Sequence, residues 1–175
     1  MSRSVQLALM AGVTVILTAC AQGRYEPVES AEAPIPATAE EWFKPSDVKY
    51  YEAQSPAWNF QHVLENSAYE CGRQADMGFI LYRQLRSYGS NKRPEENAQA
   101  LAECQQHAYL RGNEAIARLK QAKVSIKALE LSKDLYGKWS AYVSGMSIYS
   151  PKNALAATQY ETSRRALLAE DKFAQ

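Results

Sequence analysis

The chain has 175 residues, with 20 Lys and Arg against 19 Asp and Glu, so its formal net charge at pH 7 is +1. A nucleic-acid-binding surface needs an excess of basic side chains to neutralise phosphates, and this balance argues against such a function. The length suffices for one domain of ordinary size and leaves little room for a second.

The chain begins with a short basic stretch followed by an apolar run. Residues 1–4 read MSRS, and residues 5–19 are apolar or small apart from Gln6. This run is shorter than the about 20 apolar residues that a membrane-spanning helix needs. The polar sequence AQGR follows soon after it. A basic start, a short apolar core and a polar continuation are typical of a secretory signal peptide.

The apolar run ends in Leu17-Thr18-Ala19-Cys20, which resembles the lipobox of bacterial lipoproteins. The resemblance implies that residues 1–19 are removed and that Cys20 is acylated. Several acyl chains give a firm membrane anchor, because each buried methylene contributes about 0.8 kcal/mol. Members of this family with Asp directly after the cysteine tend to stay at the inner membrane, and Ala21 stands there instead. The resemblance therefore implies an outer-membrane anchor with the domain facing the periplasm. The alternative is an ordinary signal peptide with a chance cysteine.

Residues 20–40 are predicted to be a tether between this anchor and a folded domain at residues 41–175. They hold alanines, acidic residues and almost no bulky aliphatic side chains, together with Pro27, Pro34 and Pro36. Prolines at this density favour extended, polyproline-like geometry. Residues 39–44 are predicted to form a short helical turn that docks Trp42 and Phe43.

The remaining sequence predicts an all-α fold, an antiparallel helical hairpin or three-helix bundle with one long helix. Alanines, leucines and charged residues recur there without the period-2 alternation of strands. Ser55-Pro56 predicts the start of the first helix, because serine caps a helix and proline suits its first position. Gly89 is suited to the left-handed C-terminal cap, so this helix is predicted to end near Tyr88.

The second predicted helix starts at Pro94 and meets no further proline before Pro151. It is therefore predicted to run to about Met146, with Gly112-Asn113 and Gly137 as the places where it could bend or break. A third helix, opened by Ser150-Pro151, is predicted to run to about Lys172.

Both long helices carry a packing face in which small residues surround a cysteine. Apolar or small residues that step by threes and fours are typical of coiled-coil-like packing. On the first helix these positions hold Leu64, Ala68, Cys71, Ala75, Gly78, Tyr82 and Leu85. On the second they hold Ala98, Leu101, Gln105, Ala108, Gly112, Ala115, Leu119, Ala122, Ile126 and Leu129.

Cys71 and Cys104 are the two cysteines that remain if Cys20 is acylated. An oxidising compartment favours a disulfide between them, and the small neighbours would let two helices approach to disulfide distance. A turn centred near Asn91 leaves a register mismatch of roughly 6–10 Å along the axes, which an asymmetric loop could absorb. Two buried free thiols, or a metal or redox role, are the alternatives.

No catalytic, cofactor or metal site is predicted. The chain lacks His-Glu-x-x-His, Cys-x-x-Cys, nucleophile-elbow and phosphate-loop motifs. His62 and His107 are the only histidines, and they are predicted to lie out of register between the two helices. Glu103 and His107, four residues apart on one helix face, could serve as metal ligands and are the basis of an alternative function.

Basic residues collect in the middle of the long predicted helix, at Arg111, Arg118, Lys120, Lys123 and Lys127. Such a face could attract an anionic envelope polymer or a partner protein. Because acidic residues are interspersed, a solvated face is the favoured interpretation.

Aromatic residues crowd the end of the long helix, and others lie near the start of the first. An antiparallel hairpin is expected to bring the two groups together. One interpretation is an aromatic core that closes the end of the bundle. The other is a partner-binding groove, since Tyr and Trp are favoured interface anchors. The candidate partner-binding residues are Trp139, Tyr142, Tyr136 and Trp58.

Together these features predict a non-catalytic outer-membrane lipoprotein that binds or scaffolds another envelope protein or polymer. Pilotins are small helical lipoproteins of this general class, although no motif assigns this chain to them. The first alternative is an envelope metal-binding protein or enzyme that uses Glu103 and His107. The second is a purely structural spacer.

Overall fold

The computed structural model describes residues 47–88 and 94–173. Within these ranges the chain is all-α, and its helices are α1 (Pro56–Ser87), α2 (Pro94–Gln121), α3 (Ile126–Ser144) and α4 (Ala154–Phe173). The predicted all-α bundle is therefore confirmed. The predictions for the lipobox, the tether, the turn at residues 39–44 and the cap at Gly89 lie outside the described residues.

Helix α1 starts where the Ser-Pro pair predicted. Ser55 has extended backbone angles, and its hydroxyl accepts a hydrogen bond of 2.9 Å from the Trp58 amide, which has no partner within the helix. Pro56 occupies the first turn. At the other end, the Tyr88 amide bonds to the Leu85 carbonyl at 3.0 Å, which tightens the last turn.

The long second helix predicted from Pro94 is two helices, because the chain turns after Gln121. The Ala122 amide still bonds to helical carbonyls. Ser125 then caps a new helix by accepting from the Ala128 amide at 3.0 Å. Neither of the break points predicted from glycine is used. Reversal at this serine lets α3 fold back along α2 and bury its apolar face.

The last helix starts at Ala154, three residues beyond the predicted proline start. The Asn153 side chain accepts from the Ala156 amide at 3.1 Å, and its carbonyl accepts from the Ala157 amide at 3.0 Å. Asn153 therefore caps α4 in place of Ser150. The residues between α3 and this cap are not helical, and among them Ile148 is buried in the core.

Cys71 and Cys104 form the predicted disulfide between α1 and α2, with Cα atoms 5.6 Å apart. The predicted asymmetry is also present. Cys71 lies 16 residues before the end of α1 at Ser87, whereas Cys104 lies 10 residues after the start of α2 at Pro94. Six residues correspond to roughly 9 Å of helix. The part of α1 beyond the disulfide is therefore longer than the part of α2 before it.

The small residues of the two packing faces divide into two roles. Alanines such as Ala68, Ala75 and Ala108 are buried with the disulfide, as predicted. The glycines instead make room for side chains of α3 and of the segment that follows it. A Cβ added at Gly112 would lie 2.9 Å from the Trp139 ring, and one at Gly78 would overlap the Ile148 side chain.

Candidate binding cleft

Trp139 lies in the centre of the bundle and has no exposed surface. Its indole N–H donates a hydrogen bond of 2.9 Å to the Leu64 carbonyl on α1. The rings of Tyr109 and Tyr136 lie 5.5 and 5.4 Å from its own. The prediction that Trp139 contacts a partner is therefore wrong, because a side chain without exposed surface offers nothing to bind.

Tyr136 and Trp58 are half-buried and lie on different parts of the molecule. The Tyr136 hydroxyl donates to the Asn113 side chain on α2, and partial burial, with Tyr109 nearby, raises its pKa. Trp58 stacks on His62 with ring centroids 4.7 Å apart. The rings next to Trp58 are those of Tyr51 and His62, whereas Tyr136 contacts Trp139, so the expected single aromatic cluster does not form.

Tyr142 is the predicted aromatic residue that lines a cleft, here called the tyrosine cleft. The cleft lies between α1, the end of α3 and α4, with a volume of about 270 Å³. Tyr142 stacks nearly parallel on Tyr160 of α4, with ring centroids 5.6 Å apart. Tyr69 of α1 stands at the rim, 61% exposed. Three helices thus supply aromatic surface to one concave site.

Ion pairs between helices border the tyrosine cleft. The Lys152 ammonium contacts the Asp76 carboxylate at 2.6 Å. On the opposite side Arg164 bridges the carboxylates of Glu65 and Glu161, each at 3.0 Å. Exposed pairs of this kind contribute at most about 1 kcal/mol each to stability. They can exchange partners with a charged ligand at little cost, so the rim suits a ligand of mixed polarity.

Tyr160 forms the base of the cleft and is 3% exposed. Its hydroxyl is buried and has no hydrogen-bond partner within residues 47–88 and 94–173. Burial raises the pKa of the Tyr160 phenol well above its ordinary value, and the nearby Glu65 adds to this effect. The phenol therefore stays neutral, and the base of the cleft is aromatic rather than charged.

A second cavity, of about 390 Å³, lies where the segment before α1 packs against α1 and α2. The Arg118 guanidinium lies 4.1 Å from the centre of the Tyr50 ring and also bonds to Glu114. Arg111 pairs with Glu70 at 2.9 Å. Although this cavity is larger, Tyr50 is its one aromatic lining residue, against three in the tyrosine cleft, which makes it the weaker candidate for binding.

The residues of the metal-binding alternative lie on the exposed side of α2. Glu103 and His107 are both exposed, and the Glu103 carboxylate accepts from Gln99 at 2.9 Å. In the part of the chain that the structure describes, no group of three or more His, Cys, Asp or Glu is placed to hold a metal ion. His62 lies elsewhere, stacked on Trp58.

None of the four described helices is long and apolar enough to cross a bilayer. No protein-family model matches the chain, and neither curated proteins nor solved structures give a match. The site must therefore be interpreted from its own geometry, as a surface cleft with aromatic walls and a rim of paired charges. Aromatic surface bordered by polar groups is typical of a binding site.

Three residues of the tyrosine cleft, Tyr69, Lys152 and Tyr160, were not predicted from the sequence. Each is separated from Tyr142 by a helix boundary or by many residues, so no local motif joins them. Tyr160 did leave a signal, because Tyr160, Ser163 and Leu167 follow the three-and-four spacing of one helix face, and all three are buried. That spacing marks the inner face of α4.

Proposed function

We propose that this chain is a lipid-anchored protein of the bacterial outer membrane whose periplasmic helical domain binds another envelope component without catalysis. The Cys71–Cys104 bond carries the proposal. Disulfides persist in oxidising compartments such as the periplasm. Because the chain has 3 cysteines, this pairing leaves Cys20 for acylation at the lipobox-like sequence.

The tyrosine cleft supports binding as the role of the domain. Tyrosine side chains offer large, rigid contact area with a polar tip, and they are frequent anchors in interfaces. The cleft volume of about 270 Å³ is slightly below the range of roughly 300–1,000 Å³ for sites that enclose a drug-sized ligand. A protruding side chain or short segment of a larger protein or polymer fits better than an enclosed small molecule.

Acylation is tested by mass spectrometry of the protein purified from membranes. We expect an acyl mass on Cys20 and an intact Cys71–Cys104 bond. Cys20→Ser should remove the acyl mass and release the domain from the outer-membrane fraction. An unmodified Cys20, or a disulfide from Cys20 to either of the other cysteines, would refute the lipoprotein part of the proposal.

Binding is tested by crosslinking in cells with a photoreactive residue at Tyr142. We expect a discrete adduct that weakens in Tyr69→Ala, a change at an exposed rim position that leaves the core intact. A probe at Leu110, which is exposed on α2, is the matched control. Equal adducts at both positions would contradict the cleft as the binding site. No adduct at either would favour the structural spacer.

A further inference from the structure

The chain turn after Gln121 lies at one end of the bundle, here called the turn pole, together with the start of α1 and the end of α4. Two hydrogen bonds define this end. The Ser55 hydroxyl donates to Asp171 at 2.6 Å, and the Ser125 hydroxyl reaches Glu170 at 3.5 Å. The serines that cap α1 and α3 thus both contact the last turn of α4.

The turn pole exposes two large apolar side chains. Ile126 is 81% exposed and Phe173 is 91% exposed. Phe173 lies one turn beyond Glu170 on the same face of α4, and Ile126 directly follows Ser125, which contacts that glutamate. A single exposed apolar residue needs no explanation. Two at adjacent helix ends form a small apolar tip.

Lysines surround this tip. Lys120, Lys123 and Lys127 are all exposed, and none of them takes part in an ion pair among the described residues. Glu130 is the exposed acid that follows them on α3. Apolar side chains bordered by lysines are the composition of surfaces that bind anionic lipid.

The described chain begins at Asp47, beside the half of α1 that is nearer to the turn pole. Asp47 lines a cavity with Val63, which lies 7 residues after the start of α1 and so roughly 10 Å from that end of the helix. Only 26 residues separate Asp47 from Cys20, and a chain of that length spans at most about 95 Å. An anchor at Cys20 would hold the domain at a high effective concentration near the bilayer.

We propose that the turn pole lies against an anionic phospholipid surface, with Ile126 and Phe173 entering the boundary between headgroups and acyl chains. This inference rests on the proposed lipid anchor. The three lysines face the headgroups, and each lysine near such a surface strengthens contact by roughly fivefold at low salt. Contact at this pole turns the tyrosine cleft to the side of the tethered domain, where an envelope partner can approach.

The test reconstitutes the full acylated protein in vesicles of phosphatidylethanolamine and phosphatidylglycerol whose acyl chains carry bromine, which quenches tryptophan. Ile126→Trp and Phe173→Trp report whether the turn pole enters the bilayer. Leu155→Trp, 67% exposed at the opposite end of α4, is the matched control, and the unchanged protein supplies the baseline. We expect about twofold quenching at positions 126 and 173, because interfacial side chains enter roughly 5–10 Å, and none at 155.

Replacing Lys120, Lys123 and Lys127 together by Gln should abolish this quenching, as should uncharged vesicles of brominated phosphatidylcholine alone. Equal quenching at all three positions, or none at any, overturns the inference. So does a blue shift at 126 and 173 that rises with protein concentration without vesicles, which would identify a second copy as the occupant. Mass spectrometry detects acylation of Cys20 independently. A missing lipid anchor can therefore be distinguished from an anchored protein whose turn pole does not contact the bilayer.

Discussion

The α1–α2 hairpin and the α3–α4 hairpin are held together by different means. Near the Cys71–Cys104 bond, α1 and α2 bury mainly alanines, whereas their larger buried side chains, such as Phe60, Leu64 and Leu119, lie closer to the turn pole. Between α3 and α4 there is no cysteine, and Leu135 and Leu167 are completely buried while Ser163 bonds to Asp134. Alanine faces bury little apolar area. The covalent bond offsets this in one hairpin, and large side chains fill the other.

The two hairpins join where large residues of the second enter gaps in the first. Trp139 lies over Gly112, and Ile148 lies over Gly78. The comparison therefore makes a prediction about energy. Side chains that cross between the hairpins should contribute at least as much to the free energy of unfolding as the disulfide within one of them.

The largest effect is expected for Trp139→Ala. The change leaves a cavity between α1, α2 and α3, and we expect the free energy of unfolding to fall by about 3–5 kcal/mol. Urea unfolding followed by circular dichroism measures it. Trp139→Phe keeps most of the ring volume but loses the bond to the Leu64 carbonyl, so a smaller loss of about 1–2 kcal/mol is expected. A loss below 1 kcal/mol for the alanine variant would contradict the prediction that side chains crossing between the hairpins contribute as much as the disulfide.

Removing the disulfide should have the next largest effect. For a sequence separation of 33 residues, the chain-entropy model gives about 3–4 kcal/mol, lost in a variant with Cys71→Ala and Cys104→Ala. Urea unfolding with and without reductant measures it, because reductant should destabilise the unchanged protein and leave this variant unaffected. If the cost clearly exceeds that of Trp139→Ala, the hairpin rather than the junction dominates stability.

Alanine substitutions at two glycines test the contact between Trp139 and α2. Gly112→Ala brings a methyl group to 2.9 Å from the Trp139 ring, and we expect a loss of about 1–3 kcal/mol. Gly137→Ala meets no atom within 4 Å, so helix propensity should stabilise the protein by up to about 1 kcal/mol. Thermal unfolding should show opposite shifts of Tm. In a Trp139→Phe background the cost of Gly112→Ala should shrink, and equal costs in both backgrounds would refute the contact.

The smallest effect at neutral pH is expected for Tyr160→Phe. Its hydroxyl is buried without a hydrogen bond to the described residues, so removing it should change stability by less than about 1 kcal/mol. Alkaline pH should reveal more. Burial raises the pKa of Tyr160 above its ordinary value of 10.0, so above that pH the unfolded chain loses a proton that the folded chain keeps.

The contribution of Tyr160 to the stability of the unchanged protein should therefore be constant below about pH 10 and fall as pH rises further, by up to about 1.4 kcal/mol per pH unit. Tyr160→Phe should show a shallower fall when urea unfolding is repeated across this range. Tyr136→Phe is a useful comparison, because partial burial raises the pKa of that phenol too. Identical alkaline slopes with and without the Tyr160 hydroxyl would contradict its burial.

Part of the candidate site was predictable from the sequence. Tyr142 was singled out because aromatic residues crowd the end of α3, and it lines the tyrosine cleft. The same reasoning selected Trp139, which is buried. The spacing of aromatic residues along α3 does not say which of them is buried in the core and which lines the surface cleft. Tyr69 and Tyr160 come from other helices, so only the packing of α1 and α4 beside α3 could reveal them.

The sequence by itself determined the helical class, the start of α1 at Ser55 and the pairing of Cys71 with Cys104. The first two depend on local chemistry that one segment contains in full, and the third depends on the small number of cysteines and on the small residues beside each of them. The tertiary structure alone decided the turn after Gln121, the use of Asn153 as a cap and the roles of the glycines. Several serines and glycines offered comparable local signals, each worth about 1 kcal/mol. Burying Trp139 and Ile148 against distant segments contributes more, so packing selected among those signals.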